Sequence, residues 1–397
     1  MKIPAYNLDW AFNAAVRNRA ARWQRQQLVS ADQLTAIEAA YPLEYYRPAW
    51  PLRVGLFIFA AIGLALGSGF VFLVVGGNSP FAAGLFFCAA CFGILELMIK
   101  ERRFYHAGVD NALLYAGLTS AGGLIYYAFS EHLWPLSGRY YLSLGASYPV
   151  FLLVLALLGA AVLRYADAIV TAAAVTVTLL LVALLGFNSA LGQMLLPFLL
   201  MAAAGGLLLL YRALARRLAS TYLADCYANC LLVLKVLGLA VLYLAGNYLV
   251  VREGNAELRH QFTSTQIPFA PMFYALTAGI PLLYVTLGLR RADRALLLLG
   301  LLALAFSLFT LRYYRSLLPP EIAALVGGVV LTVLAGGLLR VLRPARFGLT
   351  SLPDEPRHFN LENLIQAQTA HAPEAPVTSG FEFGGGQSGG GGATGQF

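Results

Sequence analysis

"LLVLALLGAAVLRYADAIVTAAAVTVTLLLVALLGF", residues 152–187, is an apolar run in which only Arg164 and Asp167 carry charge. A helix rises about 1.5 Å per residue, so crossing a hydrocarbon core of about 30 Å takes roughly 20 residues. The run is therefore one over-long segment or two spans joined by "RYAD" (164–167). Everything downstream turns on that choice, because one crossing more or fewer moves every later loop to the other side of the membrane. We read two spans, on the strength of the charge distribution.

Working outward, the 397 residues are 59% hydrophobic and 12% charged, against about a quarter charged in an ordinary soluble domain. This composition implies an all-α, polytopic membrane protein. Apolar runs recur from Val54 to Leu339, and about ten transmembrane helices fit them, at approximately 54–76, 81–99, 109–129, 147–163, 168–186, 191–211, 229–250, 269–289, 295–311 and 320–339. Lys and Arg are retained on the cytoplasmic side, whereas Asp and Glu matter little. With the N-terminus inside, the inner side holds seven basic residues before the first span, then Lys100, Arg102 and Arg103, then Arg164, then the groups at 212–217, 290–294 and 340–346. That is twenty, against five outside (Arg139, Arg252, Arg259, Arg312 and Arg315). Merging the fourth and fifth spans puts the Arg212 and Arg290 groups outside, so the split at "RYAD" stands and both termini are expected in the cytoplasm.

The net charge of +8 follows from the same asymmetry, favours an anionic inner leaflet, and requires no nucleic acid. The first residues lack the apolar core of a signal peptide, so the first span is expected to direct insertion. Tyr126 and Tyr127, Tyr140 and Tyr141, Tyr313 and Tyr314, and Trp134 fall at the outer interface, with Trp10, Trp23 and Trp50 on the inner side. They read as an aromatic belt.

Residues 1–50 read as a small cytoplasmic helical module, ahead of a ten-span domain over 51–343. In "VSADQLTAIEAAYP" (29–42), Ser30 and Gln33 form a capping-box pattern and Pro42 closes the helix. The four arginines between 17 and 25 occupy too wide an arc for an amphipathic stripe and read as a surface or interfacial anchor. From 344 onward the chain turns Pro- and Gly-rich and ends in "GFEFGGGQSGGGGATGQF" (380–397). Such sequence buries too little surface to offset its ordering entropy, so a disordered cytoplasmic tail is expected, with "NLENLIQAQ" (360–368) as one short helical exception.

"QQLVSADQLTAIEAAYP" (26–42) followed by many spans resembles a widespread bacterial family of uncharacterised membrane proteins, in which a short helical module precedes eight to twelve spans. The resemblance covers roughly the first 75 residues. It implies a multi-pass protein of the bacterial inner membrane and brings no catalytic residues, substrate or cofactor.

Ionisable residues inside spans are costly, by about 2.5–3.5 kcal/mol at the centre, and each needs an account. Glu96 and Lys235 share the inner leaflet, with Asp110, Asp167 and Asp225 near the same boundary. They pair with each other, or snorkel separately, or form a proton or ion site. His106 and Asp110 share a helix face, but two ligands do not make a zinc site, and Asp110 is placed to cap the third span. Cys88 and Cys91 lie mid-membrane and Cys226 and Cys230 near the inner surface, so they read as small buried apolar residues. No Gly-x-Ser-x-Gly, His-Glu-x-x-His or Walker-type loop occurs, and neither an enzyme nor a cofactor is expected.

Ten spans also divide into two inverted halves of five, whose third members carry "YAGLTSAGGLIYY" (115–127) and "YALTAGIPLLY" (274–284). Both hold helix-weakening residues, Gly122 and Gly123 in one and Pro281 in the other, and interrupted spans in matching positions point to a midplane site. The first functional expectation is a structural, assembly or regulatory component, embedded in lipid and contacting protein partners through its module and tail. The alternative is a secondary transporter with a midplane site at spans three and eight, coupled through Glu96, Asp110, Asp167 or Lys235.

Overall fold

A computed structural model of the chain describes residues 4–75, 79–130, 144–187, 189–219, 223–258 and 264–314, with Thr221, Gln261 and scattered positions between 322 and 340. The expected Gly-rich tail, including the C-terminal unit His358–Phe397, lies outside them, and so does most of the expected tenth span.

Thirteen helices are described: α1 (Leu8–Arg25), α2 (Ala31–Ala40), α3 (Trp50–Val74), α4 (Pro80–Glu101), α5 (Val109–Ala128), α6 (Leu144–Tyr165), α7 (Ala168–Phe187), α8 (Ala190–Leu218), α9 (Leu223–Cys226), α10 (Ala228–Gly246), α11 (Tyr248–Leu258), α12 (Ala270–Arg290) and α13 (Arg294–Tyr314). Eight of them, α3, α4, α6, α7, α8, α10, α12 and α13, are long and apolar enough to cross a membrane. The expected count of ten is therefore met in eight. A further long helix, α5, which covers the expected third span, has 20 residues and packs against α3, α4 and α6, but it is not among those eight.

The "RYAD" turn divides the opening stretch. Ala166 takes a left-handed φ of 49° and its amide returns to Val162 O at 2.9 Å, closing α6 in an αL cap. Asp167 then starts α7, its Oδ1 accepting from the Ile169 and Val170 amides at 2.8 and 2.9 Å. Two residues thus reverse the chain, and Asp167 satisfies two of the first-turn amides of α7.

The seventh span departs from its expected range of 229–250. Gly246 ends α10, Asn247 is extended (φ −81°, ψ 127°), and its Oδ1 accepts from the Leu249 and Val250 amides at 3.0 and 3.3 Å, so a separate helix α11 begins there. α8 is longer than expected: its 29 residues extend about 43 Å, so Arg212, Arg216 and Arg217 ride on helix that runs past a core of about 30 Å.

The N-terminal module shares a core with the spans. Tyr6 and Trp10 are buried in one cluster with Leu95, Ile99, Leu113 and Leu114 of α4 and α5. The Ala5 amide donates to Arg164 O at 2.6 Å, Arg19 pairs with Asp225 at 3.0 Å, and Arg103 pairs with Glu44 at 3.2 Å. The Ser30/Gln33 capping box forms as expected. Many large apolar side chains of the spans are exposed, Leu73 at 80% and Phe59 at 78% among them, which suits a surface that meets lipid. α12 and α13 approach at Gly288 and Gly300, where an added Cβ would lie 2.8 Å from the Leu297 amide nitrogen and 2.9 Å from Tyr284 Cβ; small residues permit this contact.

Candidate functional site: a buried carboxylate layer beneath an intramembrane cavity

The loop from α4 to α5 carries two left-handed residues, Arg103 (φ 52°) and His106 (φ 49°), and Gly108 at φ 107°. A Cβ on Gly108 would fall 2.4 Å from Arg53 O, so only glycine lets this loop pass beneath α3. The tight path folds the loop over Asp110. Asp110 is fully buried; its Oδ1 accepts from the Ala107 and Gly108 amides at 2.8 and 3.0 Å, and its Oδ2 accepts from the Tyr6 hydroxyl at 3.0 Å. Asp110 therefore stands at a helix start but does not cap α5 as expected: the amides it satisfies precede the helix, and its third donor comes from the N-terminal segment.

Asp167 is 3% exposed. Besides capping α7 it accepts from Asn111 Nδ2 at 2.9 Å and from the Tyr115 hydroxyl at 3.1 Å, and His106 Nδ1 stands 4.0 Å from its Oδ2. Each carboxylate sits at the N-terminal end of a helix, where the dipole favours negative charge. Arg47 and Arg53 supply positive charge to the same layer, and Arg53 Nε is buried with no hydrogen-bond partner among the described residues. Burial holds the His106 imidazole below its ordinary range, against the pull of Asp110 and Asp167. Burial, with Asp110 beside it, keeps the Tyr6 phenol well above its usual value, so it remains a donor.

Above this layer lies a cavity of about 570 Å³ bounded by α3, α4 and α5. Its α5 wall carries Tyr115, Thr119, Gly123 and Tyr127, spaced four apart and so on one helix face. Tyr115 belongs to both places, since it lines the cavity and donates to Asp167. Gly122 and Gly123 have open space where a Cβ would be, whereas Pro281 of the supposed matching span is fully buried. Both α5 and α12 are unbroken, α5 packing on α3, α4 and α6 and α12 on α10, α11 and α13. The two interrupted spans expected to build one midplane site are thus continuous helices in different surroundings.

Of the three alternatives for Glu96 and Lys235, their pairing with each other does not form. Arg164 grips both Glu96 oxygens at 2.9 Å and Tyr165 adds a hydrogen bond at 3.0 Å, while Lys235 pairs with Asp293. Asp293 also accepts from the Leu296 amide at 3.2 Å; burial pushes its carboxyl upward, but Lys235 and the amides outweigh this and hold it below the usual carboxylate range. All four cysteines are free, and burial pushes the Cys226 thiol up to about 11, which leaves it unreactive. Among the described residues no group of three His, Cys, Asp or Glu side chains is placed to hold a metal ion.

A second polar cluster went unread in the sequence because its members are neutral. Asn247 Nδ2 donates to the Tyr243 hydroxyl at 2.9 Å and to Thr310 Oγ1 at 3.1 Å, and Ser307 Oγ donates to Thr277 O at 2.6 Å. An asparagine between Gly246 and Tyr248 in an apolar run was the available signal. These groups satisfy one another and join α10, α12 and α13.

Eight helices of membrane-crossing length and hydropathy, with apolar side chains turned outward, define a multi-pass integral membrane protein. No protein-family model, curated protein or solved structure matches the chain.

Proposed function

We propose that the protein is a proton-coupled secondary transporter of the bacterial inner membrane, with the cavity among α3, α4 and α5 as its substrate space and the His106–Asp110–Asp167 layer as its coupling station. One observation carries this reading: Tyr115, on the hydroxyl-bearing α5 wall of an otherwise apolar cavity, donates directly to a buried carboxylate that lies 4.0 Å from His106 Nδ1. Buried ionisable groups in a membrane protein mark ion or proton paths by default, and histidine exchanges protons near neutral pH. The basic-residue asymmetry supports placing this layer on the cytoplasmic side. The reading does not use inverted halves, because its elements all lie between residues 6 and 167.

The test is water access to the cavity. Thr119→Cys and Gly123→Cys, made in the full chain, are expected to react within minutes with a charged, membrane-impermeant thiol reagent, and Asp167→Asn to alter the pH dependence of that reaction. Neither cysteine reacting from either side would mean a dry packing gap and would sink the transport reading.

A second reading, a structural or assembly component with partners at its cytoplasmic face, is favoured by the full complement of donors on both carboxylates and by the N-terminal module anchored at Ala5, Arg19 and Glu44. A dry cavity would select it.

A further inference from the structure

A larger cavity, about 1400 Å³, shares Tyr6 with the carboxylate layer. Clefts for small molecules run to about 300–1,000 Å³, so this one is sized for something bigger. Its floor is one face of α7, namely Thr171, Ala174, Val175 and Thr178, at the i, i+3, i+4, i+7 spacing of a helical stripe. α6 walls it with Leu155, Gly159 and Val162, and α8 with Leu207, Leu210 and Leu214. A Cβ on Gly159 would meet nothing within 4 Å.

Charge is confined to one end. There the N-terminal segment brings Asn7 and Asp9 beside Lys100 and Arg164. From Arg164 to Leu155 the wall runs nine residues along α6, about 14 Å, which is half of a hydrocarbon core of about 30 Å. An aliphatic slot one leaflet deep with a charged rim matches a membrane lipid, chains inward and headgroup at the rim. The rim carries both signs, Lys100 and Arg164 positive and Asp9 negative, and Glu96, which does not line the slot, offsets part of the positive charge because it is held by Arg164 and lies 3.9 Å from Lys100. A rim with both signs suits a zwitterionic headgroup better than an anionic one.

We infer that this slot holds a resident two-chain glycerophospholipid with a phosphoethanolamine headgroup, its phosphate toward Lys100 and Arg164 and its ammonium toward Asp9, in the leaflet on the N-terminal side. The inference is independent of the transport reading, since it uses neither the α3–α5 cavity nor proton exchange.

Native mass spectrometry of the full chain in mild detergent, titrated with dioleoyl phosphatidylethanolamine or dioleoyl phosphatidylglycerol, tests it. The expected result is one phosphatidylethanolamine adduct bound about tenfold more tightly than phosphatidylglycerol. Gly159→Phe, filling the open space in the slot, is expected to weaken that adduct about tenfold with an unchanged melting temperature. Asp9→Lys, at an exposed site, is expected to reverse the headgroup preference. Equal retention of both lipids, no retained lipid, or a folded Gly159→Phe protein that binds like the unaltered chain would each overturn the assignment. If Gly159→Phe fails to fold, the Asp9→Lys reversal decides alone.

Discussion

At the scale of single residues, the carboxylate layer is defined by who donates to whom. Tyr6→Phe removes one of three donors to Asp110 and leaves a fully buried Oδ2 bare, which is expected to cost about 1–3 kcal/mol, read as a lower midpoint in SDS-driven unfolding from mixed micelles. Wild-type stability in this variant would show that water replaces the phenol. For His106 the sign follows from burial: its folded value lies below 6.5, so the unfolded chain takes up a proton first as pH falls. The stabilising contribution is complete above about pH 6.5 and is lost as pH drops from there toward the lowered folded value. His106→Asn keeps a residue type that tolerates left-handed backbone, and is expected to flatten the melting-temperature profile between about pH 7 and pH 5. A slope equal to that of the unaltered chain would assign the titration elsewhere, the facing groups being Asp110, Asp167, Arg47 and Arg53. Asp110 and Asp167 were legible as candidates in the sequence because charge in an apolar run stands out. Tyr6 was not, since a tyrosine a hundred residues away carries no signal of its partner.

At the scale of elements, helix ends were readable where a polar residue interrupts an apolar run, and unreadable where the interruption is neutral. "RYAD" gave its turn away through two charges, and the structure places the reversal at Ala166 and Asp167. Asn247 lies in a run that reads as one span, yet it ends α10 and starts α11 through its own side chain. Asn247→Ala loses that cap and its hydrogen bonds to Tyr243 and Thr310 together, and is expected to destabilise by about 2–4 kcal/mol, with hydrogen exchange rising first at the amides of Leu249 and Val250. Protection unchanged at those amides would mean that packing of Tyr248, 1% exposed, sets the break by itself.

At the scale of the whole molecule, long-range ion pairs tie the bundle together. Lys235 of α10 pairs with Asp293 between α12 and α13, the lysine side chain only 13% exposed. Lys235→Met strands the carboxylate and is expected to cost about 3 kcal/mol, whereas Lys235→Met with Asp293→Asn is expected to recover most of it, because asparagine still caps α13. Equal losses in the single and double variants would make the lysine's stem, not its charge, the stabilising part. By itself the sequence determined that this is a helical, multi-pass membrane protein, where most spans lie, and that "RYAD" separates two of them. Those properties follow from local hydropathy and from the length needed to cross lipid. Only the tertiary structure decided that Glu96 belongs to Arg164 and Lys235 to Asp293, that Tyr6 closes over Asp110, and that spans three and eight stand in different surroundings. A charge in a membrane must find a counter-charge, but which one it meets depends on helix rotation and neighbour order, and no local pattern of residues encodes either.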